Sequence, residues 1–148
     1  MSDLHEIVSG LEALISGVPH RIANLANAAA YIYNTFDDIS WAGFYILENG
    51  VLVLGPFQGK PACIEIMPGK GVCGAAVQTK TTQVVYNVHE FPGHIACDPD
   101  SRSETVVPLY KDGEIYGVLD LDSKTVGRFT DEDKTVFEAL AAVIEKAL

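Results

Sequence analysis

The sequence predicts an α+β fold: a single domain, residues 1–148, with a central, mostly antiparallel sheet flanked by N- and C-terminal helices. Three observations lead to this prediction. Apolar residues recur at helical spacing near both ends, the middle is rich in β-branched and aromatic residues, and two stretches there have hairpin turn sequences. A chain of 148 residues also suits one domain, which would bury roughly 68–70% of its unfolded surface.

The N-terminal region is predicted to contain two helices. From Pro19 to Phe36, apolar residues recur three or four positions apart, as on one face of a helix with a proline at its start. A shorter helical segment comes before it, around Leu4 to Ile15. Both segments belong to the helices that are expected to flank the sheet.

Two hairpins form most of the predicted sheet. The first joins WAGFYIL, 41–47, to VLVLGPF, 51–57, through ENG, and the second joins ETVVPLY, 104–110, to EIYGVLDLD, 114–122, through KDG. Between them, GKGVCGAAVQTK begins with glycines and continues as a short helix of small residues. QVVYNV, 83–88, is predicted to be a further strand.

The C-terminal segment, FTDEDKTVFEALAAVIEKAL, predicts the last helix. Thr130 and Asp133, three positions apart, form a capping box at its start. Its apolar face then consists of Val136, Leu140, Val143 and Ala147.

The charge balance restricts the class of ligand. A net charge of −10 argues against nucleic acids and anionic membrane surfaces, which attract Lys and Arg. It is compatible with a small ligand that carries a cationic group. The acidic N-terminus and the lack of an apolar run of about 18 residues predict a cytoplasmic protein. Three cysteines in that compartment stay reduced unless they are catalytic or redox-sensing.

The long irregular segment 89–103 is the first candidate for function, because loops of this length are often functional. Within it, HIACDPDSRSE places Cys97 among turn-forming and charged residues, where a buried apolar cysteine is not expected. The other cysteines are ambiguous. Cys73 opens the short helix, where the dipole would stabilise a thiolate, but it also suits packing among small residues. Cys63 lies in the apolar run ACIEI.

Carboxylates are expected to converge on one face of the second hairpin. Side chains alternate along a strand, so Asp120 and Asp122 share a face, and Glu104 lies near the start of the preceding strand. Aspartate is depleted in strands, so the pair indicates either a solvated strand end or a site that faces a cation. On the first strand, Trp41 and Tyr45 flank a glycine and could wall a small pocket, or else belong to the core or to a dimer interface.

Together these residues predict a small acidic pocket with aromatic walls and a cysteine nucleophile at its mouth. The carboxylates would bind an ammonium group, although they also disfavour the thiolate. Other chemistries have weaker support. Cys97 and His94 could ligate a metal, but CxxC and HxxxH pairs are lacking. A dyad with His89 or His94 lacks a supporting signature, and PGKGVCG lacks the spacing of a phosphate-binding loop.

The chain resembles the free methionine-R-sulfoxide reductases, which are stand-alone GAF domains. The resemblance extends from WAGFY through LGPFQGKPACIEI, GKGVCG, HIACDPDSRSE and GVLDLDS, and it includes the spacing of the three cysteines. It implies that Cys97 is the catalytic cysteine and that Cys63 resolves it as a disulfide, while Cys73 assists resolution or supports the site. It further implies that the substrate is surrounded by Glu104, Asp120, Asp122, Trp41 and Tyr45.

The resemblance also implies a mechanism. Cys97 would attack the sulfoxide sulfur while an acid such as Glu104 delivers a proton, and the resulting sulfenic acid would condense with Cys63. Thioredoxin or another dithiol would restore the thiols, no metal or organic cofactor would be needed, and a homodimer is plausible. The alternatives are a GAF-type module that binds a small molecule and a thiol redox sensor that binds a partner protein.

Overall fold

The computed structural model describes residues 4–95 and 97–148. It confirms the predicted α+β class. Its helices are α1 (Leu4–Ile15), α2 (Arg21–Thr35), α3 (Gly71–Thr79) and α4 (Asp131–Glu145). Its strands are β1 (Trp41–Glu48), β2 (Val51–Gln58), β3 (Glu65–Ile66), β4 (Gln83–Val85), β5 (Ser103–Lys111) and β6 (Glu114–Ser123).

The strands form one antiparallel sheet in the order β3-β2-β1-β6-β5-β4. Both predicted hairpins are present, and the residues at their tips explain why. Asn49 and Gly50, and likewise Asp112 and Gly113, have positive φ angles between 51° and 81°. Two consecutive residues of this kind make the tight turn whose twist matches that of paired strands, and Asn-Gly and Asp-Gly tolerate it well.

The alternation of side chains along the central strands divides the interior into two clusters. Phe44, Leu119 and Leu121 lie on the face that α2 and α4 cover, and α1 packs against those two helices. Tyr45 and Val118 lie on the other face, where α3 packs. The face assignments predicted from the period of two are therefore confirmed, and the predicted acidic residues belong to the α3 side.

Two predictions for the middle of the chain were incomplete. The strand predicted at 83–88 ends at Val85, because the side chain of Asn87 accepts a hydrogen bond from the backbone N–H of His89 and starts a 3-10 turn, Val88–Glu90. Strand β3 was not predicted, since its two residues are too few to give an alternating pattern. It pairs with β2 close to Cys63 and so orients that cysteine's segment.

The ends of the chain agree with the predictions. In α4, the hydroxyl of Thr130 accepts from the backbone N–H of Asp133, and the Asp133 carboxylate accepts from the backbone N–H of Thr130. α2 begins at Arg21, two residues after Pro19, the residue at which the sequence predicts its start. In the described part of the chain, none of the helices is both long and apolar enough to cross a membrane.

Candidate active site

Three carboxyl groups converge on the α3 side of the sheet, as predicted. Glu104 on β5 lies directly opposite Asp122 on β6, and Asp120 lies two positions further along β6 on the same face. All three residues are buried, with 5–9% of their surface exposed. Each strand has hydrogen-bonded neighbours on both sides, so the backbone holds the carboxyl groups in a fixed arrangement.

Burial and mutual repulsion keep these groups from all being ionised. Burial raises the pKa of Glu104 and that of Asp122 well above their usual range, and the charge of nearby Asp120 raises both further. Burial also raises the pKa of Asp120, but hydrogen bonds from Glu104, Cys73 and Asp122 oppose that rise. Asp120 is therefore the member that carries negative charge most readily, and Glu104 and Asp122 are the members that keep protons.

The carboxyl cluster has room for a cation. The buried Oδ1 atom of Asp120 makes no hydrogen bond to any of the residues the structure describes. Cys73, Glu104 and Asp120 also each offer one ligand atom within 4.8 Å of the others. Burying a carboxylate oxygen that has no hydrogen-bond partner costs free energy. The cluster is therefore suited to a positively charged group, whether an ammonium or a metal ion.

Cys73 is part of this cluster through α3. It is the third residue of the helix, is 3% exposed and packs among apolar neighbours. Burial raises the pKa of its thiol, and the charges of Asp120 and Glu104 raise it further. The effect of burial on the pKa of the Cys73 thiol therefore outweighs that of the helix dipole. Of the two interpretations of Cys73, that of a small packed residue agrees better with the structure.

The aromatic wall comes from β1, next to the acidic residues. In the register of the two strands, Trp41 lies opposite Asp122 and Gly43 opposite Asp120. The rings of Trp41 and Tyr45 are stacked, with centroids 6.0 Å apart. Gly43 leaves no opening between the two rings, because a Cβ there would come within 2.9 Å of both Phe57 and Trp41, which already fill that space. The wall is therefore continuous.

Cys63 and Cys97 form a disulfide at the mouth of this site. Their Cα atoms are 5.4 Å apart, within the usual range of about 4.4–6.8 Å. Both residues are half-buried, and each lies on a loop: Cys63 between β2 and β3, and Cys97 between the 3-10 turn and β5. The two bonded cysteines thus lie on loops, while the acidic and aromatic residues lie on strands.

These parts enclose one cavity. Seven of the predicted site residues line it: Trp41, Tyr45, Cys73, Cys97, Glu104, Asp120 and Asp122. Cys63, the remaining one, is bonded to Cys97, and its carbonyl oxygen accepts a hydrogen bond of 2.8 Å from the Tyr45 hydroxyl. Because burial raises the pKa of that hydroxyl, it stays protonated and remains a donor.

Several cavity residues were not assigned to the site from the sequence. Lys60 and Asp98 line it, and so does His94, which had been considered only for metal ligation or a dyad. Partial burial and the neighbouring His89 lower the pKa of His94, so it is mostly neutral at pH 7. His89 is itself paired with Arg102 at 2.8 Å. A loop residue has no periodic pattern, and nothing in the sequence could have placed these side chains in the cavity.

Comparisons with known proteins agree with this geometry. The GAF domain family model matches residues 11–148. A protein of Escherichia coli named free methionine-R-sulfoxide reductase is 53% identical over 136 residues, which cover 92% of this chain and 82% of the relative. The reduced form of fRMsr of Staphylococcus aureus superimposes with a TM-score of 0.96 at 49% identity, covering 100% of this chain and 96% of that chain. The substrate complex of the same protein gives a TM-score of 0.94 at 49% identity, with 100% and 97% coverage.

Proposed function

The chain belongs to the free methionine-R-sulfoxide reductases of the GAF domain family, and we propose that it reduces free L-methionine-(R)-sulfoxide to L-methionine. One observation carries the proposal: the Cys63–Cys97 disulfide closes the mouth of a cavity that has three buried carboxyl groups in its interior. The names of the E. coli relative and of the S. aureus fRMsr structures support it. The chain is accordingly an oxidoreductase.

Recognition depends on the charge of a free amino group. Asp120 has a buried oxygen without a partner among the described residues, and Glu104 and Asp122 lie beside it. An ammonium group supplies three donors and a positive charge, whereas the amide nitrogen of a peptide-bound methionine supplies one donor and no charge. The cluster therefore selects the free amino acid. Trp41 and Tyr45 provide apolar surface for its side chain.

The chemistry transfers the sulfoxide oxygen to Cys97. The sulfur of Cys97 attacks the sulfoxide sulfur and forms a transient S–S bond. The S–O bond and then this S–S bond break as the oxygen passes to the Cys97 sulfur, so methionine leaves and Cys97 becomes a sulfenic acid. The thiol of Cys63 then displaces water from that sulfenic acid and forms the disulfide. The sum is methionine sulfoxide plus two thiols giving methionine, a disulfide and water, so two electrons pass from sulfur to substrate. Neither step requires a metal or an organic cofactor.

Glu104 is our proposed proton donor to the departing oxygen. Its pKa is raised well above the usual range by burial and by Asp120, so it holds a proton at neutral pH. Asp122 shares this property, and Asp120 is the least suited because its neighbours stabilise its charge. Cys73 in this scheme supports the site: its buried thiol lies within 4.8 Å of Asp120 and Glu104 and lines the cavity.

Recycling requires an external dithiol, for which we propose thioredoxin. Attack on one sulfur gives a mixed disulfide, and the second thiol of the donor then releases the reduced enzyme. We further propose that residues 1–148 function as one domain, in the cytoplasm where such donors are abundant. A homodimer is part of the proposal, and light scattering after size-exclusion chromatography would test it.

The direct test is turnover. The protein with free methionine-R-sulfoxide, thioredoxin, its reductase and NADPH should form methionine and consume NADPH stoichiometrically. An N-acetylated substrate, which has no ammonium group, should react at least about ten-fold less efficiently, because a charge-assisted hydrogen bond contributes about 1.5–3 kcal/mol. The S epimer, in which the oxygen and the lone pair on sulfur exchange places, should also react less efficiently. Equal efficiency with the N-acetylated substrate would contradict the binding scheme.

Two cysteine variants separate the steps. Cys97→Ser should form no methionine, whereas Cys63→Ser should form one equivalent and stop at a sulfenic acid that dimedone traps. Methionine formation by Cys97→Ser, or dimedone labelling of Cys73 in Cys63→Ser, would contradict the assigned roles.

The second candidate is a sensor module, which the GAF family model by itself would equally allow. A sensor would be stabilised thermally by its ligand but would not consume reduced thioredoxin beyond one equivalent. Multiple turnovers therefore distinguish the enzyme from both a ligand sensor and a thiol redox sensor.

A further inference from the structure

The two loops that carry the redox cysteines meet at a second point besides the disulfide. The ammonium group of Lys60 lies 3.2 Å from Oδ2 of Asp100, and the two residues form an ion pair. Lys60 precedes Cys63 by three residues, and Asp100 follows Cys97 by three. The pair thus connects the two segments at the same sequence separation, three residues, from each cysteine.

The Cys63 segment is also attached to the sheet. The indole N–H of Trp41 donates to the carbonyl oxygen of Lys60 at 3.0 Å, and the Tyr45 hydroxyl donates to that of Cys63 at 2.8 Å. Both donors come from the buried strand β1. The segment is therefore fixed on the sheet side, and the Lys60–Asp100 pair is its polar link to the opposite loop.

The Cys97 side is organised by contacts of its own. The backbone N–H of Asp100 donates to the side chain of Asp98 at 2.9 Å, and Arg102 donates to the carbonyl oxygen of Pro99 at 3.2 Å. These contacts shape the turn that presents the Asp100 carboxylate towards Lys60. Each partner of the pair is thus placed by contacts that do not involve the disulfide.

We propose that Lys60 and Asp100 are positioning residues that draw the Cys63 segment onto the Cys97 loop and thereby favour disulfide closure. The role in catalysis rests on the proposed function, since closure there follows sulfenic acid formation. The pair itself is neither oxidised nor reduced. It stabilises the arrangement in which the two sulfurs are bonded, so it shifts the equilibrium between dithiol and disulfide.

The size of the effect follows from the exposure of the pair. The two side chains are 59% and 56% exposed, and an exposed ion pair contributes about 0.2–1 kcal/mol. Breaking the pair should therefore lower the equilibrium constant for disulfide formation about 1.4- to five-fold. For a two-electron couple, in which ten-fold corresponds to 29.6 mV, this raises the reduction potential by about 4–20 mV.

The test is a redox titration of the full chain against reduced and oxidised dithiothreitol, a neutral couple whose own equilibrium is insensitive to salt. Each protein disulfide that is reduced takes two electrons and two protons from one dithiothreitol, which closes to its cyclic disulfide. Lys60→Gln and Asp100→Asn should each raise the potential by about 4–20 mV, and the exchange Lys60→Asp with Asp100→Lys should restore most of the wild-type value. Lys146→Gln and Asp112→Asn, both exposed and on other parts of the chain, are matched controls.

Salt and single-turnover kinetics complete the test. Potassium chloride at 0.5 M should bring the wild type to the potential of the single variants, which should themselves change little. After one equivalent of substrate, quenched samples should show disulfide closure slowed about 1.4- to five-fold in the single variants and restored in the exchange. Unchanged potentials, or an exchange variant that does not recover, would overturn the proposal. The titration contains no sulfoxide, so a failure of the proposed function would instead appear as a lack of methionine while these shifts persist.

Discussion

Replacing Asp120 by Asn removes negative charge from the centre of the site with almost no change of shape. In the wild type, Asp120 is 5% exposed, lies beside two other buried carboxyl groups and has one oxygen without a partner among the described residues. An asparagine keeps an acceptor oxygen and adds an N–H₂ group, which can donate to a neighbouring carboxylate. The substitution should therefore stabilise the free protein and weaken substrate binding.

The structure sets the expected magnitudes. A buried polar group without a partner costs about 1–3 kcal/mol, and more when it is charged, so the free energy of unfolding at neutral pH should rise by about that amount. Loss of a charge-assisted hydrogen bond to the substrate's ammonium group costs about 1.5–3 kcal/mol. The Michaelis constant should consequently rise about 10- to 150-fold. Stability and affinity should thus change in opposite senses.

The pH dependence of the stability gain has a definite sign. Burial raises the pKa of Asp120 in the folded protein above its unfolded value of about 3.9. Between these two pKa values the folded chain holds the extra proton, so the wild type loses stability as the pH rises through that window. The Asn variant lacks this loss. Its advantage should be absent below about pH 4 and should grow as the pH increases.

Urea unfolding at several pH values between 3.5 and 8, with initial rates at varied substrate concentration, measures both effects. Asp112→Asn is the matched control, because Asp112 is exposed, lies in the β5–β6 turn of the same hairpin and has a φ of 53° that asparagine tolerates. It should change neither quantity. A less stable Asp120→Asn variant at pH 7, or a gain that does not vary with pH, would refute the electrostatic reasoning.

Three further predictions concern the support of the site. Tyr45→Phe keeps the ring but loses the hydrogen bond to the Cys63 carbonyl, so closure of the disulfide in a single turnover should slow about two- to ten-fold. The control Tyr110→Phe loses a hydrogen bond to the Lys80 carbonyl in another part of the chain and should not slow closure. Cys73→Ser keeps a donor near Asp120, so multiple turnover should persist; a variant that stops after one turnover would assign Cys73 a redox role. Thr130→Ala removes the α4 cap and should lower the free energy of unfolding by about 1 kcal/mol, measured in urea, with an unchanged Michaelis constant.

The fold was predictable where periodicity and turn chemistry agree. Strands of eight to ten residues with alternating faces, and turns at Asn49–Gly50 and Asp112–Gly113, gave both hairpins from local sequence alone. The strand order was not accessible in this way, because β1 pairs with β6 across the 65 residues of chain between them, 49–113. The short β3 and the early end of β4 depend on local contacts that leave no periodic pattern in the sequence.

The site was predictable on the strands and less so on the loops. The period of two placed Asp120 and Asp122 on one face, and the hairpin register then brought Glu104 beside them. The pairing of Cys63 with Cys97 came only from the family resemblance, since the loops that bring them together have no periodic pattern. For the same reason, the sequence did not predict that Lys60 and His94 line the cavity.

The division between strands and loops bears on how the protein can combine tight recognition with repeated oxidation. The carboxyl groups are costly to bury, and they are held on β5 and β6, whose opposite face packs Leu119 and Leu121 into the larger apolar cluster. That burial offsets their cost, at about 25 cal/mol per Å² of apolar surface. Cys63 and Cys97 must react in turn with a substrate, with each other and with a reductant. They lie on loops outside this cluster. Substitutions on the strands should therefore change affinity and stability together, whereas substitutions on the loops should change the redox steps with little effect on either.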